Sequence, residues 1–412
     1  MRLVSAARRL QATQISVQAV TRLSSVYLFL AASWSGHSNL ALVAIQGTLL
    51  AIPYALQESL VGRPLARGVV PGQWNRTAWM ARTTLTATLL ITPVVLVVPA
   101  VTVPRAGWQL WLLAAVPVLL QMPVEGLYWL LGKQHRSGCG NLVHQCAAAG
   151  TIACATVLAL SGHSVLLAAV PAQLLVIGWA LGHLRSGDRA GGNRAGGVRP
   201  GYLAALRPGS SYSLAAVVSL AFGVALPTLA GVYVGEAAVV VIRALDLAFG
   251  PFHLLLNASV REDLMRGRRT PLTDPAKLLA AGALAATGVA LIAAAPLRQL
   301  ISADLAAAGG LTVAVYTGYK LFFMINTWQA SRHMLRTTPR RFMTTGIVAS
   351  CLALVTVAAG GLLAGGLRSY LLVLCGSELL LIAWYAARSA ADNERRIAAP
   401  AAAVPVPAQG RP

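Results

Sequence analysis

The sequence predicts an all-α polytopic membrane protein with about 12 transmembrane helices, each of which needs roughly 20 apolar residues. Three observations lead to this fold class. Hydrophobic residues make up 57% of the 412-residue chain, and the mean hydropathy is +0.67. Charged residues make up only 11%, whereas a soluble domain needs roughly a quarter to cover its surface. The basic residues form short clusters between apolar runs, which is typical of membrane topology and not of nucleic-acid binding.

Apolar runs long enough to cross the hydrocarbon core recur along the whole chain. The first run is the most polar, since it contains Gln18 and Arg22. Tight outer connections such as Ser161–Ser164 join some of the runs. The predicted spans are residues 14–35, 38–60, 83–103, 108–131, 141–161, 163–184, 210–234, 236–260, 277–296, 305–330, 342–366 and 369–388.

Positive charge predicts the orientation of these spans. With the N-terminus inside, 27 of the 33 Lys and Arg residues fall in inner segments and three, Arg105, Arg298 and Arg368, fall in outer loops. The other three lie within spans. A wrong number of spans would destroy this alternation, so the asymmetry supports the number of spans and predicts that both termini lie in the cytoplasm.

The composition between spans predicts five segments. Residues 185–208 are rich in Gly and Arg, as in a flexible linker, and the last residues are rich in Ala and Pro. The predicted segments are a cytoplasmic amphipathic N-terminus (1–13), a first six-helix bundle (14–184), a cytoplasmic linker (185–208), a second six-helix bundle (209–388) and a disordered cytoplasmic tail (389–412).

A faint internal repeat supports the 6+6 division. At an offset of 198 residues, Pro53 falls on Pro251 and Arg63 falls on Arg261. Because each half has an even number of spans, both halves enter the membrane in the same direction. Each proline would remove a backbone hydrogen bond and bend its helix, either as a hinge for alternating access or as a static packing kink.

Three segments carry a resemblance to a known family. They are Ala51–Arg67 at the exit of the second span, Gly126–Arg136 at the exit of the fourth, and Trp328–Arg336 at the exit of the tenth. With the 6+6 layout, they resemble the multidrug/oligosaccharidyl-lipid/polysaccharide (MOP) exporter superfamily. Within it, they are nearer to the polysaccharide transporters and lipid-linked oligosaccharide flippases than to the drug exporters.

The resemblance implies a MATE-like pair of six-helix bundles in a V around a central cavity. The implied cargo is a lipid-linked glycan that carries a pyrophosphate, and polysaccharide-assembly membrane proteins are possible partners. In flippases of this kind, arginines of the first, second and eighth spans make the cavity cationic. Arg22 and Arg243 match the first and eighth. The second span offers only Arg63, at its cytoplasmic end, which departs from the pattern.

Basic residues inside the spans are candidates for the substrate cavity, since a charge in the membrane needs a partner or water. Arg22 either faces the cavity or extends to the inner surface. Arg243 either binds a ligand or pairs with Asp246 on the same helix face. Lys320 lies in the middle of its span, with Tyr316 and Tyr319 just before it, and a basic group beside aromatic rings suits a sugar or a phosphate.

Acidic residues inside the spans are candidates for coupling or charge pairing. Glu125 and Glu378 could relay protons, or could neutralise a base on a neighbouring helix, such as Lys320. Asp246 is the third candidate. Glu58, near the inner surface, is expected to be solvated or paired with Arg63.

The resulting function is a flippase or exporter of a lipid-linked glycan, with no catalytic residues, no metal and no cofactor. Two alternatives stay open: a cation-coupled small-molecule exporter of the same fold, and a non-transporting partner in polysaccharide assembly. A membrane enzyme is disfavoured, because no outer loop is long enough for a catalytic domain and the first outer loop holds no acid. The sequence contains no nucleotide-binding P-loop.

Overall fold

The computed structural model describes residues 23–34, 40–134, 137–190, 198–266, 273–336 and 339–398. Within these ranges the chain is built from α-helices with short π and 3-10 turns. The helices are α1 (Leu23–Trp34), α2 (Leu40–Leu49), α3 (Ala51–Gln57), α4 (Arg63–Arg67), α5 (Arg76–Thr102), α6 (Trp108–Gln134), α7 (Ser137–Leu160), α8 (Ala169–Ala190), α9 (Tyr202–Tyr233), α10 (Glu236–Arg266), α11 (Thr273–Ala293), α12 (Ala295–Ile301), α13 (Ala303–Arg336), α14 (Pro339–Leu362) and α15 (Leu367–Ala398).

The chain is a multi-pass helical membrane protein, as predicted. Nine helical segments of the described residues are long and apolar enough to span a bilayer, and the shorter apolar helix Leu23–Trp34 precedes them. Large apolar side chains cover the outside: Leu175 is 75% exposed and Leu363 is 88% exposed. Such a surface is stable against lipid and would aggregate in water. Each of the twelve predicted spans has a helical counterpart in the described residues.

The second span is not one continuous α-helix. It consists of α2, α3, a π-helical turn over Glu58–Gly62, and α4. Pro53 cannot donate a backbone hydrogen bond to Leu49, which explains why the helix is interrupted beside it. Pro64 likewise cannot donate to Leu60, and the wider π turn accommodates the missing bond. By contrast, α10 runs through Pro251 without a break.

The two halves of the chain are joined along α5 and α9, the third and seventh spans. Trp79 of α5 donates from Nε1 to the carbonyl of Ala205 at 2.8 Å, and Thr83 donates to the same carbonyl. Toward the other end of both helices, Gly231 lies directly against Thr102. The helix α9 therefore packs on the first half along its length.

The end of the linker is also bound to the first half. The amide of Val198 donates to the carbonyl of Gln73 at 2.8 Å, and the amide of Asn75 donates to the carbonyl of Val198 at 3.1 Å. Arg82 donates to the carbonyl of Pro200 and stacks on the ring of Tyr202. The predicted linker is thus fixed where it enters α9.

A second contact between the halves lies at the opposite, predicted outer side. Trp34, at the end of α1, donates from Nε1 to the carbonyl of Leu300 in α12 at 3.2 Å. The short helix α12 leads into α13, which is interrupted at Gly309, where φ is 76°. Because that backbone conformation favours glycine, a larger residue at 309 would be strained.

Several segment boundaries differ from the predicted ones. The helix α8 continues to Ala190 and α9 begins at Tyr202, so helix occupies both ends of the segment predicted as linker. The helix α15 continues to Ala398, past the predicted start of the tail at residue 389. The predicted amphipathic N-terminus and the end of the tail lie outside the described residues and stay predictions.

Candidate functional site

The second half holds an ion pair between two of the candidate residues, Lys320 of α13 and Asp246 of α10. Lys320 Nζ lies 2.6 Å from Asp246 Oδ1, and the hydroxyl of Tyr316 donates to the same oxygen at 2.7 Å. The side chain of Lys320 is 11% exposed, whereas that of Asp246 is 35% exposed. Lys320 therefore holds the carboxylate from the buried side.

Aromatic rings surround the ammonium group of Lys320. Its Nζ lies 5.2 Å from the ring centroid of Tyr316, 5.0 Å from that of Tyr319 and 5.5 Å from that of Phe323. At these distances the rings attract a cation and help to offset the loss of its hydration. Lys320 thus lies beside Tyr316 and Tyr319, and the ion-pair partner of Lys320 is Asp246.

Arg243 lies one helical turn before Asp246 and reaches the other half of the protein. Its guanidinium packs on Gly47 of α2, so closely that a Cβ placed on Gly47 would stand 2.5 Å from Nη2. Arg243 and Lys320 thus flank Asp246, one along α10 and one from α13. Arg22, the third basic candidate, lies outside the described residues.

Glu378 lies deeper in the second half and is fully buried. Asn326 of α13 donates to its Oε2 at 2.9 Å. Its other oxygen, Oε1, has no hydrogen-bond partner within the part of the chain that the structure describes. A buried carboxyl with so few donors is costly to ionise, so this position is suited to a neutral acid or to exchange of partners.

In the first half, Glu125 of α6 pairs with His144 of α7. The distance between Glu125 Oε2 and His144 Nε2 is 3.4 Å, and both side chains are less than 10% exposed. The amide of Gln121 donates to Glu125 Oε1 at 2.7 Å, and Gln173 of α8 donates to Gln121 at 2.9 Å. Of the two roles considered for Glu125, proton relay and contact with a base on a neighbouring helix, the structure has the contact, but the base is His144 of the same half and not Lys320.

Tyrosine rings hold His144 in place. Tyr128 meets it edge-on with ring centroids 4.4 Å apart, and Tyr54 of α3 stacks on it at 5.9 Å. Tyr54 follows Pro53 directly. The Glu125–His144 pair is therefore in contact with the interrupted second span.

A small cavity with several polar side chains in its lining adjoins this pair. Its volume is about 50 Å³, and its lining includes Gln46, Tyr54, Gln121, His144 and Gln173. A cavity of that size admits a few water molecules but not a drug-sized ligand, which needs several hundred Å³. The cavity therefore suits water or a small ion.

The remaining candidates lie away from these clusters. Arg63 and Glu58 form an exposed ion pair, with Nη2 and Oε1 3.2 Å apart, so the expected contact between them is confirmed. Pro53 interrupts the second span and Pro251 lies exposed in α10. The described residues contain no group of three or more His, Cys, Asp and Glu side chains that could hold a metal ion.

Sequence reasoning missed His144 and the buried glutamines Gln46, Gln121 and Gln173. Gln46 donates to the carbonyls of Ala114 and Leu166 at 3.1 and 2.9 Å. Three glutamines and a histidine within apolar spans are unusual, and that polarity alone could have marked them. Their partners, however, are on other helices and could not be read from local spacing.

The two helical halves are joined at the second, third, seventh and eighth spans, and the fold is similar to that of solved transporters of the MOP superfamily. The inward-facing conformation of a multidrug resistance MATE family transporter of the MOP superfamily matches 91% of this chain and 96% of its own, with a TM-score of 0.62 and 13% identity. The lipid II flippase MurJ, in an inward closed conformation, matches 92% of this chain and 87% of its own, with a TM-score of 0.64 and 10% identity.

An outward-facing conformation of a MATE family transporter matches with a TM-score of 0.54 and 14% identity, over 94% of this chain and 96% of its own. At such identities the likeness shows the fold alone. No protein-family model matches the sequence, and no curated protein matches it.

Proposed function

We propose that this chain is a membrane transporter that moves a lipid-linked, pyrophosphate-bearing glycan precursor across the bacterial cytoplasmic membrane by alternating access. The single observation that carries the proposal is the position of Arg243 at the contact between the two halves, against Gly47. A pyrophosphate headgroup cannot enter hydrocarbon without its hydration, so its path needs fixed positive charge. Arg243 supplies such a charge at the surface that must open.

One structural feature supports alternating access, and one comparison supports this cargo. The outer contact between Trp34 and Leu300 and the inner contact between α5 and α9 give each side of the membrane its own connection between the halves. The similar fold of the lipid II flippase MurJ makes a lipid-linked substrate a natural candidate for this chain. The distribution of positive charge supports a cytoplasmic position of both termini.

The proposal is tested in proteoliposomes with a fluorescent polyprenyl-pyrophosphate saccharide. We expect Arg243→Gln to reduce its transfer about tenfold or more, because a hydrogen bond to a charged group is worth about 1.5–3 kcal/mol. Arg388→Gln is the matched control, since Arg388 stacks on Trp384 at 4.6 Å on the exposed side of α15. Transfer by the wild type that does not exceed that of empty liposomes would exclude the proposal.

A second function, cation-coupled export of a small molecule, is favoured by one observation. The buried pair of Glu125 and His144 adjoins a small cavity that suits water or a small ion. Such a pair can take up and release a proton during transport. Loss of transport by Glu125→Gln under a proton gradient, together with full activity of Arg243→Gln, would favour this second function over the first.

A further inference from the structure

Two side chains of the described residues hold the carboxylate of Asp246, and both contact the same oxygen. Lys320 Nζ and the hydroxyl of Tyr316 both contact Oδ1, at 2.6 and 2.7 Å. A carboxylate has about four acceptor sites, so capacity remains after these two contacts. The side chain is 35% exposed, whereas Tyr316 is only 1% exposed. The remaining capacity is thus on the accessible side.

Asp246 lies one helical turn from a contact between the two halves. Arg243, one turn earlier, packs on Gly47 of α2. The second span is interrupted just after Gly47, between α2 and α3. The helix α2 packs on α10, whereas α3 packs against α6 and α9. Ala51, at the start of α3, is exposed. Because exposure of a carboxylate to lipid would be costly, the space in front of Asp246 must be polar.

The surrounding charges determine what this carboxylate can bind. A second cation is disfavoured, because the ammonium of Lys320 already lies 2.6 Å from Oδ1. A phosphate is disfavoured by the negative charge of Asp246 itself. A neutral hydrogen-bond donor, such as a sugar hydroxyl or an N-acetyl amide, meets neither obstacle, and a carboxylate fixed by two donors is a rigid acceptor for it.

We propose that Asp246 is a specificity-determining residue, which accepts a hydrogen bond from the sugar ring adjacent to the pyrophosphate while Arg243 binds the phosphate. This inference rests on the proposed function. Residues three apart on a helix have side chains about 5–6 Å apart at Cβ, a spacing comparable to the separation of a phosphate from substituents on the sugar it carries. Lys320 and Tyr316 act as positioning residues for the carboxylate.

The test compares the binding of two lipids to the full chain in nanodiscs: a long-chain polyprenyl pyrophosphate, and the same lipid carrying one N-acetylhexosamine. We expect the wild type to prefer the sugar-bearing lipid about tenfold, as one hydrogen bond to a charged group implies. Asp246→Asn should abolish most of this preference, whereas Arg243→Gln should weaken the binding of both lipids. Tyr316→Phe, which removes one of the two donors that fix Oδ1, should reduce the preference partly.

The outcomes separate the two proposals. If the wild type binds neither lipid, the proposed function fails. If it binds both equally, or if Asp246→Asn keeps the full preference, only the role of Asp246 fails. Should Asp246→Asn not yield a monodisperse protein, Asp246→Glu replaces it: the charge is kept and the carboxylate is displaced, and an unchanged preference would then overturn the inference.

Discussion

Arg243 of α10 packs against Gly47 of α2, with its guanidinium in the space that a side chain at position 47 would occupy. A side chain at position 47 would have to displace the guanidinium, while the backbone there is ordinary helix. The contact joins the two halves of the fold at the residue that we propose binds phosphate. Opening and substrate binding thus involve the same arginine.

Gly47→Ala should displace Arg243 and reduce transport about tenfold, while the protein stays folded. The loss of stability should be about 1 kcal/mol, at the low end of the cost of adding a methyl group to a packed interior. The cost is low because the end of an arginine side chain can move. The measurements are the initial rate in proteoliposomes and the thermal midpoint. Gly178→Ala is the control, since an added Cβ at this exposed helical position meets no atom within 4 Å. Wild-type transport by Gly47→Ala would contradict the prediction.

Lys320→Met should destabilise the second half by about 1–3 kcal/mol. The cost is below the value of about 3–5 kcal/mol for a fully buried pair, because Asp246 keeps contact with water. Adding Asp246→Asn should recover part of the loss, since the unpaired carboxylate is then removed. As a matched control, Arg63→Met breaks an exposed ion pair and should cost less than about 1 kcal/mol. Equal losses at both pairs, measured by denaturation, would be inconsistent with this account.

His144→Leu should destabilise the first half by about 1–3 kcal/mol, because it leaves Glu125 buried with one fewer partner. Combining it with Glu125→Leu should cost less than the sum of the two single changes. His163→Leu is the control, since His163 is exposed and its ring contacts the neighbouring Ser161. Strict additivity of the pair would mean that the 3.4 Å contact contributes nothing.

Trp34→Phe should make the outer side open more easily, since it removes the indole donor to Leu300 in the other half. We expect a shift of about 0.5–1.5 kcal/mol in the conformational equilibrium, measured by spin-label distances across the outer surface. Trp111→Phe removes an equivalent bond, from Trp111 Nε1 to the carbonyl of Val103 at 2.9 Å, within the first half. It should affect stability and leave the equilibrium unchanged. The same shift in both variants would argue against a contact that holds the outer side closed.

Transport of a doubly charged headgroup should depend on the membrane potential. Two negative charges that move outward across 100 mV gain about 4.6 kcal/mol, at about 2.3 kcal/mol per charge. We therefore expect faster outward transfer in vesicles polarised negative inside than in depolarised ones, without a proton gradient. Equal rates in the two vesicle populations would indicate another driving force.

The sequence was sufficient to predict the helical architecture, because apolar length and positive charge both act locally. It also predicted the pairing of Arg63 with Glu58, which are neighbours on one helix. The interruption around Leu50 and the π turn were not predicted, although Pro53 and Pro64 were visible, because the response of a helix to proline depends on its neighbours. Pro251, at the matching position of the repeat, leaves α10 unbroken.

The candidate site was predicted in its residue types but not in its partners. The sequence admitted either an ion pair between Asp246 and Arg243 or a ligand site, and it did not predict the contacts of Asp246 with Lys320 of α13 and with Tyr316. For Glu125 it admitted either a proton relay or a contact with a base on a neighbouring helix, and the base that Glu125 contacts is His144, which no local pattern distinguished. Contacts between helices depend on how each is rotated about its axis, and a single sequence leaves that rotation undetermined.

The attachment of α9 to α5 has a consequence for how the chain can be divided. Val198 pairs with Gln73 and Asn75, and Ala205 pairs with Trp79 and Thr83. The helix α9, which begins the second half of the sequence, is therefore packed on the first half. A polypeptide nicked between residues 190 and 198 would keep its two fragments docked through α9. Co-expressed fragments divided there would therefore assemble, whereas a cut after α9 would place that helix on a fragment lacking α10, its next neighbour in the chain.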